Sequence, residues 1–321
     1  MKDSMNDSLN DSMKDSMNNS MNDSINNSTK DTGKKTLREC LSGYTRMICL
    51  LGDPVRHSLS PLMHNTAFQH LGLDYVYLAF EANEKNLPEA VQAMRTLDAA
   101  GFNLTMPNKQ QVIPLLDELS PEARISGAVN TVKNHKGRLI GYNTDGMGFV
   151  LSLQEEGLGV KGQKFVLLGA GGASKSIAIQ LALEGAAELV IFNRNPEPAA
   201  ALCALIQKEV PGCAVAQYRY EDEQLKRALS AADVLVNTTN VGMGELEGQA
   251  LVQDGSLFHP DLTVADVIYF PLKTRLLEIA ESAGCKTLNG VGMIIGQGAF
   301  GFKIWTGEEM PVEVVKKAVI G

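Results

Sequence analysis

What the sequence lacks narrows its function before any motif is considered. Its 321 residues contain no Cys-x-x-Cys pair, a single Trp and no apolar run long enough to cross a bilayer. Basic residues are outnumbered by acidic ones, and the net charge of −8 argues against a nucleic-acid or anionic-membrane partner. The cysteines lie mostly in apolar surroundings without metal-ligand spacing, so reduced core thiols are favoured over disulfides or a zinc site. These cysteines are Cys40, Cys49, Cys203, Cys213 and Cys285.

The N-terminal segment, residues 1–43, differs in composition from the rest of the chain. Roughly its first 35 residues repeat a four-residue unit of apolar, Asn/Lys, Asp/Asn and Ser positions. On a helix the apolar positions would drift by roughly 40° per unit and would line no single face. We expect a low-complexity, disordered or weakly helical tail without chemistry, and a partner-binding tail is the alternative. No apolar signal core follows the N-terminal charges, so we expect a cytoplasmic protein.

The stretch Lys164–Ile177 (KFVLLGAGGASKSI) combines a short apolar strand, a glycine turn and the start of a helix. This geometry places a pyrophosphate on free backbone N–H groups at a helix N-terminus. A second apolar strand, Leu189–Phe192, ends about twenty residues later in Asn193-Arg194, where a dinucleotide fold contacts the adenosine ribose. The stretch therefore predicts dinucleotide binding, and the alternative is an ordinary tight turn between a strand and a helix.

Strands and helices alternate from about Tyr44 onward, and 44% of residues are apolar, which is enough for two domains. We predict an α/β fold with an N-terminal substrate-binding catalytic domain at 44–146, completed by residues of about 290–321. Residues 147–289 are predicted to form a Rossmann-type, doubly wound parallel sheet that binds a dinucleotide. The crevice between the two domains is the expected site.

Within these domains the pattern also predicts individual elements. Residues 113–126 are expected to be helical, and 127–132 are expected to form a short strand. Glycine-containing helices near 292–305 and 311–319 are expected to pack back on the first domain.

Seven segments occur in an order and spacing that are specific when taken together. They are HSLSP (57–61), NLTMPNK (103–109), GAVNT (127–131), GYNTDGMG (141–148), GAGGAS (169–174), NTT with VGM (237–243) and NGVGMIIGQGAFGFKIWTG (289–307). With these segments the chain resembles the shikimate dehydrogenase family from about Tyr44 to its C-terminus. The MPNKQ and RHSLSP runs are most similar to the quinate/shikimate branch of that family. The resemblance implies reversible hydride transfer between NAD(P) and shikimate, and also quinate.

Oxidation of a ring hydroxyl to a ketone requires a titratable group near the oxygen and a partner that tunes it. Lys109 follows one predicted strand and Asp145 lies where another strand leads into a helix. The resemblance implies that this lysine accepts and donates the proton and that this aspartate is its partner. Taken singly, Lys109 could be a solvated surface residue and Asp145 a turn residue or helix N-cap.

Several polar side chains suit a polyhydroxylated acid. Ser58 and Ser60 precede a predicted helix N-terminus, which suits a carboxylate, and helix capping is their alternative. The amides of Asn130 and Gln297 can both donate and accept hydrogen bonds, although Gln297 could instead bond a neighbouring loop. The resemblance implies substrate contacts from Ser58, Ser60, Thr105, Asn130, Asp145, Tyr269 and Gln297.

The residues that contact the adenosine end of the cofactor decide between NAD and NADP, because the 2′-phosphate of NADP needs a cationic clamp. Arg194 is present, but Asn195 stands where NADP-binding relatives have Thr, the second basic residue is absent, and Glu197 adds negative charge. We therefore predict NAD, with NADP as the weaker alternative. The resemblance implies cofactor contacts from Gly169, Ala170, Gly171, Gly172, Ala173, Ser174, Asn193, Arg194, Val267 and Gly290.

No metal is expected, because His57 and His64 have no carboxylates or thiols at ligand spacing. Two other functions compete with the dehydrogenase. A non-catalytic protein that senses a shikimate-like ligand would be favoured by loss of Lys109 or Asp145, and both are present. A folate-type dehydrogenase shares the glycine turn but is not expected to carry the serine pair. The protein is expected to be a monomer or a homodimer.

Overall fold

Over residues 41–220 and 222–320, the computed structural model contains two six-stranded sheets with flanking helices. The N-terminal repeat lies outside these described residues. The strands are β1 (Arg46–Gly52), β2 (Tyr75–Glu81), β3 (Gly101–Leu104), β4 (Glu118–Leu119), β5 (Thr131–His135), β6 (Arg138–Tyr142), β7 (Lys164–Leu168), β8 (Glu188–Phe192), β9 (Ala214–Tyr218), β10 (Val234–Asn237), β11 (Thr263–Asp266) and β12 (Lys286–Leu288). The helices are α1 (Ser60–Leu71), α2 (Leu87–Thr96), α3 (Asn108–Gln111), α4 (Pro121–Ser126), α5 (Asp145–Glu155), α6 (Gly172–Leu183), α7 (Pro196–Glu209), α8 (Asp222–Leu229), α9 (Arg275–Ser282), α10 (Val291–Thr306) and α11 (Val312–Ile320).

The first sheet has the strand order β2-β1-β3-β5-β6-β4. Strand β1 runs parallel to β2 and β3, whereas β5 runs antiparallel to β3 and β6. The β5–β6 hairpin turns at Lys136 (φ 55°) and Gly137 (φ 85°), because this tight turn needs positive φ at both central residues. The carboxyl ends of β1 and β3 lie side by side, so the segments that follow them, with Ser58 and Lys109, leave the sheet at the same edge.

The second sheet is fully parallel, with the order β12-β11-β10-β7-β8-β9. The central strand β7 lies between β10 and β8, so the strand order reverses where β7 leads into the glycine turn. The four apolar residues Phe165–Leu168 are buried on alternating faces, Phe165 in one core and Val166 in the other. Burial of each such side chain contributes about 1.5–3 kcal/mol. The predicted Rossmann-type, doubly wound sheet is confirmed.

The C-terminal helices return to the first sheet, as expected. Phe302 and Trp305 of α10 and Val315 of α11 share a core with Ile48 of β1 and Phe68 of α1. The Trp305 indole also donates a hydrogen bond to the Val132 carbonyl in β5, with an Nε1–O distance of 2.9 Å. Within the described residues, no helix is both long enough and apolar enough to span a membrane.

Two element predictions in the first domain are wrong. Instead of one helix, residues 113–126 form a 3₁₀ turn, the short strand β4 and helix α4. Pro114 and Pro121 lack a backbone N–H, and Ser120 caps α4 by accepting a hydrogen bond from the Ala123 N–H. The strand predicted from 127 begins only at Thr131, because Gly127 ends α4 in the left-handed conformation (φ 61°).

His64 is an uncharged histidine in the core of the first domain. Its side chain is fully buried, and neither ring nitrogen has a hydrogen-bond partner among the residues that the structure describes. The ring stacks on Tyr77 with a centroid distance of 4.6 Å and meets Trp305 edge-on at 5.2 Å. Burial lowers the pKa of His64 to about 3, so the folded protein does not protonate it at moderately acidic pH.

We expect His64 to make the protein acid-sensitive. The unfolded chain binds a proton at this residue below about pH 6.5, whereas the folded chain does not until about pH 3. As the pH is lowered across this window, the free energy of unfolding should therefore decrease more steeply than it does in His64→Phe. The difference in slope should be up to about 1.4 kcal/mol per pH unit. Urea unfolding of both proteins from pH 7 to pH 4 measures this difference. If the free energies of unfolding of the two proteins changed equally between pH 7 and pH 4, His64 would not be the buried, uncharged histidine described here.

Candidate active site

A cavity of about 400 Å³ opens at the carboxyl ends of strands from both sheets. Its lining brings together every residue expected to contact the substrate. These residues are Ser58, Ser60, Thr105, Lys109, Asn130, Asp145, Tyr269 and Gln297. Three residues expected at the cofactor, Ala173, Val267 and Gly290, line the same cavity.

Lys109 and Asp145 form an ion pair in the cavity. Lys109 lies in the short helix α3 after β3, and Asp145 is the first residue of α5 after β6. The Lys109 ammonium donates to Asp145 Oδ2 at an Nζ–Oδ2 distance of 2.6 Å. Their side chains are 32% and 14% exposed, so the pair is partly shielded but reachable from the cavity. The structure thus joins two residues that lie 36 positions apart in the sequence.

The Asn130 amide fixes the other carboxylate oxygen. Its Nδ2 donates to Asp145 Oδ1 at 2.7 Å and to the Thr144 hydroxyl at 3.0 Å. Its Oδ1 accepts from the Thr144 backbone N–H at 2.9 Å. The Thr144 hydroxyl donates to the Gln297 carbonyl at 3.1 Å and so connects α5 to α10. Gln297 Nε2 donates to the Ile294 carbonyl of its own helix α10 at 2.9 Å, which is not the bond to a neighbouring loop that was its alternative.

The hydroxyl groups near the start of α1 form the opposite end of the cavity. Ser58 Oγ accepts a hydrogen bond from the Ser60 backbone N–H at 3.2 Å, but the N-cap position of α1 is Leu59, and the helix has no side-chain cap. The buried Tyr77 hydroxyl lies close to Ser60 and donates to Asn103 Oδ1 at 2.6 Å. Burial is the main cause that raises the pKa of Tyr77, so its hydroxyl stays protonated.

Asn103 is a cavity residue that the sequence reasoning did not single out. Its side chain is almost fully buried, and its Nδ2 donates to the Asn130 carbonyl and the Thr131 hydroxyl, both at 2.9 Å. It therefore links the serine end of the cavity to the residues that hold Asp145. The available signal was an amide in the otherwise apolar strand GFNL, because a buried polar side chain needs partners.

The glycine turn after β7 fits a pyrophosphate. Gly169 has φ 107°, and a Cβ there would lie 2.8 Å from Thr239, whereas Gly171 and Gly172 face open space. Helix α6 begins without a side-chain cap, which leaves its first backbone N–H groups available to an anion. The buried Ser174 hydroxyl donates to the Gly169 carbonyl at 2.7 Å, so this hydroxyl stabilises the turn. Ala170 is half-buried within the turn.

The residues expected at the adenosine ribose lie outside the main cavity, after β8. Arg194 is exposed and in no ion pair of the described residues, and Asn193 donates to the Asn195 carbonyl at 2.7 Å. Tyr220, which the sequence reasoning missed, lies beside both Gly169 and Arg194, and its burial raises the pKa of Tyr220 to about 12. Arg219, which directly precedes Tyr220, follows β9 at the same edge of the sheet, so two arginines and a neutral tyrosine hydroxyl lie near the ends of β8 and β9.

Among residues 41–220 and 222–320, no three His, Cys, Asp or Glu side chains are grouped so that they could hold a metal ion. His57 lines the cavity, whereas His64 is enclosed in the core.

A doubly wound parallel sheet with an open glycine turn, together with a lysine–aspartate pair that follows strands of the first sheet, defines a nucleotide-dependent dehydrogenase. Three family models match the chain. They describe a shikimate dehydrogenase substrate binding domain at residues 50–132, a shikimate/quinate 5-dehydrogenase at 152–250 and a shikimate 5′-dehydrogenase C-terminal domain at 290–320. The chain belongs to the shikimate dehydrogenase family, as the motifs indicated.

Individual relatives agree with this assignment. A protein of Alkaliphilus metalliredigens named shikimate dehydrogenase (NADP(+)) is 60% identical over 87% of this chain and 98% of its own length. The crystal structure of shikimate 5-dehydrogenase from Listeria monocytogenes with shikimate and NAD is 46% identical, with a TM-score of 0.85 over 87% of this chain and 98% of that one. Quinate dehydrogenase from Corynebacterium glutamicum with NAD is 32% identical, with a TM-score of 0.79 over 86% and 99%.

Close packing of α5 on α10 holds the site together, and a substitution at the contact should damage it. A Cβ on Gly148 would lie 2.4 Å from the Gln297 backbone nitrogen and 2.6 Å from the Met293 carbonyl. We expect Gly148→Ala to destabilise the protein by about 1–3 kcal/mol and to lower kcat/KM by displacing Gln297. Thermal unfolding and steady-state kinetics measure both effects.

Gly159→Ala is the matched control, because nothing lies within 4 Å of a Cβ at that position. This control should behave like the unsubstituted protein. Unchanged stability and kinetics in Gly148→Ala would show that the two helices can separate without cost, contrary to the packing described.

Proposed function

We propose that this protein is a shikimate dehydrogenase that interconverts shikimate and 3-dehydroshikimate by reversible, NAD(P)-dependent hydride transfer. The observation that carries the proposal is the 2.6 Å Lys109–Asp145 pair in a cavity shared with the serine pair and the cofactor-side residues. The relatives named shikimate dehydrogenase (NADP(+)) and the Listeria structure with shikimate and NAD support it.

Lys109 is proposed to handle the proton at the reacting oxygen. When bound, NAD(P) accepts or supplies the hydride at the ring carbon. In oxidation the Lys109 amine takes the hydroxyl proton as the C–H bond breaks, and in reduction the Lys109 ammonium returns a proton to the carbonyl oxygen. Asp145 keeps the Lys109 nitrogen in place, and Asn130 prevents the carboxylate from turning away. Lys109 thus takes up one proton in the oxidation and gives one proton back in the reduction.

We propose that the remaining cavity residues orient the acid. Ser58 and Ser60 would bind the carboxylate, since their hydroxyls lie at the N-terminal end of α1. The substrate hydroxyls would contact Thr105, Asn130, Tyr269 and Gln297, which line the same cavity. Quinate, which differs in its ring substituents, is proposed as a second substrate on the similarity to the Corynebacterium quinate dehydrogenase.

The cofactor is proposed to lie along the second sheet. The pyrophosphate would occupy the turn Gly169–Gly172 and the first N–H groups of α6, including Ala173 and Ser174. The nicotinamide side would contact Val267 and Gly290, and the adenosine side Asn193 and Arg194. We retain NAD as the proposed preference, because no second basic residue follows Arg194 in the run to Pro198 and Glu197 lies close in sequence.

The domain limits and cellular context are also proposals. We place the substrate-binding domain at 44–146 with 290–321 and the dinucleotide-binding domain at 147–289, in accord with the two sheets. A cytoplasmic monomer or homodimer without a nucleic-acid partner is supported by the net charge of −8 and by the buried free cysteines. The non-catalytic sensor is not favoured, because Lys109 and Asp145 are both present and paired.

Initial rates on purified protein test the function, with shikimate or quinate against NAD⁺ or NADP⁺ in all four combinations. We expect oxidation of shikimate, with the faster rate for NAD⁺, and slower oxidation of quinate. Asp145→Ala, prepared identically, is the control for contaminating host enzymes. Activity with NADP⁺ alone would show that Arg194 suffices to bind a 2′-phosphate, whereas no activity in any combination would overturn the proposed function.

A further inference from the structure

Asp266 is a buried carboxylate to which the proposed reaction gives no part. It is the last residue of β11, and only 2% of its surface is exposed. Neighbouring strands β10 and β12 flank it on both sides. No lysine, arginine or histidine of the described residues forms an ion pair with it. A buried, unpaired carboxylate is costly unless hydrogen bonds satisfy it, so its partners indicate its purpose.

Three donors from two loops converge on this carboxylate. Oδ1 accepts from Asn237 Nδ2 and from the Ile268 backbone N–H, each at 3.1 Å. Oδ2 accepts from the Thr274 hydroxyl at 2.7 Å. Burial raises the pKa of Asp266, while the three hydrogen bonds act in the opposite direction. Both oxygens of the Asp266 carboxylate therefore accept hydrogen bonds from the donors around them.

Asn237, one of the three donors to Asp266, begins a second turn, Asn237–Thr239, which lies against the glycine turn after β7. Asn237 also donates to the Val241 carbonyl at 3.1 Å, and its Oδ1 accepts from the Thr239 hydroxyl at 2.8 Å. Thr238 donates to the Leu168 carbonyl at 2.7 Å and lies close to Gly169. Asp266 thus fixes the first residue of a segment that contacts the proposed pyrophosphate site.

The other two partners belong to the segment Val267–Thr274. Val267 and Tyr269 of this segment line the cavity on either side of Ile268. The Ile268 carbonyl accepts from the Gly290 backbone N–H at 2.9 Å, and Gly290 also lines the cavity. The hydrogen bonds of Asp266 therefore hold both ends of a loop that forms one wall of the cavity.

We propose that Asp266 is a positioning residue that locks the Val267–Tyr269 wall of the cavity to the Asn237–Thr239 turn beneath the glycine turn. It acts by accepting hydrogen bonds, and it touches neither the substrate nor the cofactor. This inference rests on the proposed function, because it assigns the two loops to the cofactor and substrate sides of one reaction.

The proposed role of Asp266 requires hydrogen-bond acceptors and does not require a negative charge. Two substitutions of similar size, Asp266→Asn and Asp266→Leu, should therefore have different effects. In Asp266→Asn, Oδ1 can still accept from Asn237 and Ile268, and Nδ2 can donate to Thr274, whose hydroxyl can rotate to accept. In Asp266→Leu, all three donors are left unpaired in a buried position. The Asn variant should therefore keep the loop geometry and the Leu variant should lose it.

Steady-state kinetics and direct binding of NAD⁺ and NADP⁺ by isothermal titration calorimetry test the inference on the full chain. We expect Asp266→Leu to raise the cofactor Kd and the KM for shikimate by about 10- to 100-fold, because misplacement by about 1 Å has effects of this size. Asp266→Asn should stay within about threefold of the unsubstituted protein in both quantities.

Asp233→Leu is a control for the loss of a carboxylate that accepts from a backbone N–H. Asp233 is exposed, lies just before β10 at the opposite edge of the same sheet, and accepts from the Lys164 backbone N–H at 2.7 Å. This control should lower the melting temperature without changing KM or Kd. Wild-type constants in folded Asp266→Leu, or equal impairment of the Asn and Leu variants, would overturn the inference. If the unsubstituted protein bound the cofactor but were inactive on shikimate, the proposed function would instead be refuted.

Discussion

The site depends on one carboxylate that two partners share. Asp145 offers one oxygen to the Lys109 ammonium at 2.6 Å and the other to the Asn130 amide at 2.7 Å. Since Asn130 is itself held by Thr144 and by the strand it precedes, the carboxylate has little freedom to rotate. A lysine that exchanges a proton with a substrate must keep its position in both charge states, and this arrangement provides that constraint.

Both sheets contribute to holding that carboxylate. Asp145 starts α5, and α5 packs so closely on α10 that only glycine fits at Gly148 and Gly296, whose added Cβ atoms would meet backbone at 2.4 Å and 2.8 Å. Because α10 also carries Gln297 and shares the core of the first sheet, the same helix joins that core to the residues that hold the Lys109–Asp145 pair. On the cofactor side, Asp266 has an analogous place as a buried acceptor between two loops.

Much of this could be predicted from the sequence, because motif order and local rules carry it. The glycine turn and the Rossmann-type sheet follow from short segments with strong local preferences, whereas the cavity residues around Lys109 follow from the resemblance of the motifs to the shikimate dehydrogenase family. The helix predicted over 113–126 failed because Pro114 and Pro121 interrupt it. Asn103, Tyr220 and Asp266 were missed for another reason: their roles depend on partners distant in sequence or buried between strands, which periodicity does not show.

Chemical rescue of Lys109→Ala tests the central claim most directly. Turnover should fall by roughly two to four orders of magnitude with little loss of shikimate binding, because the proton acceptor is removed. Small primary amines added to the buffer should restore part of the rate, more so for amines of higher basicity, and should not rescue Asp145→Ala. Turnover within a few-fold of the unsubstituted protein, or no response to any amine while shikimate still binds, would contradict proton transfer by Lys109.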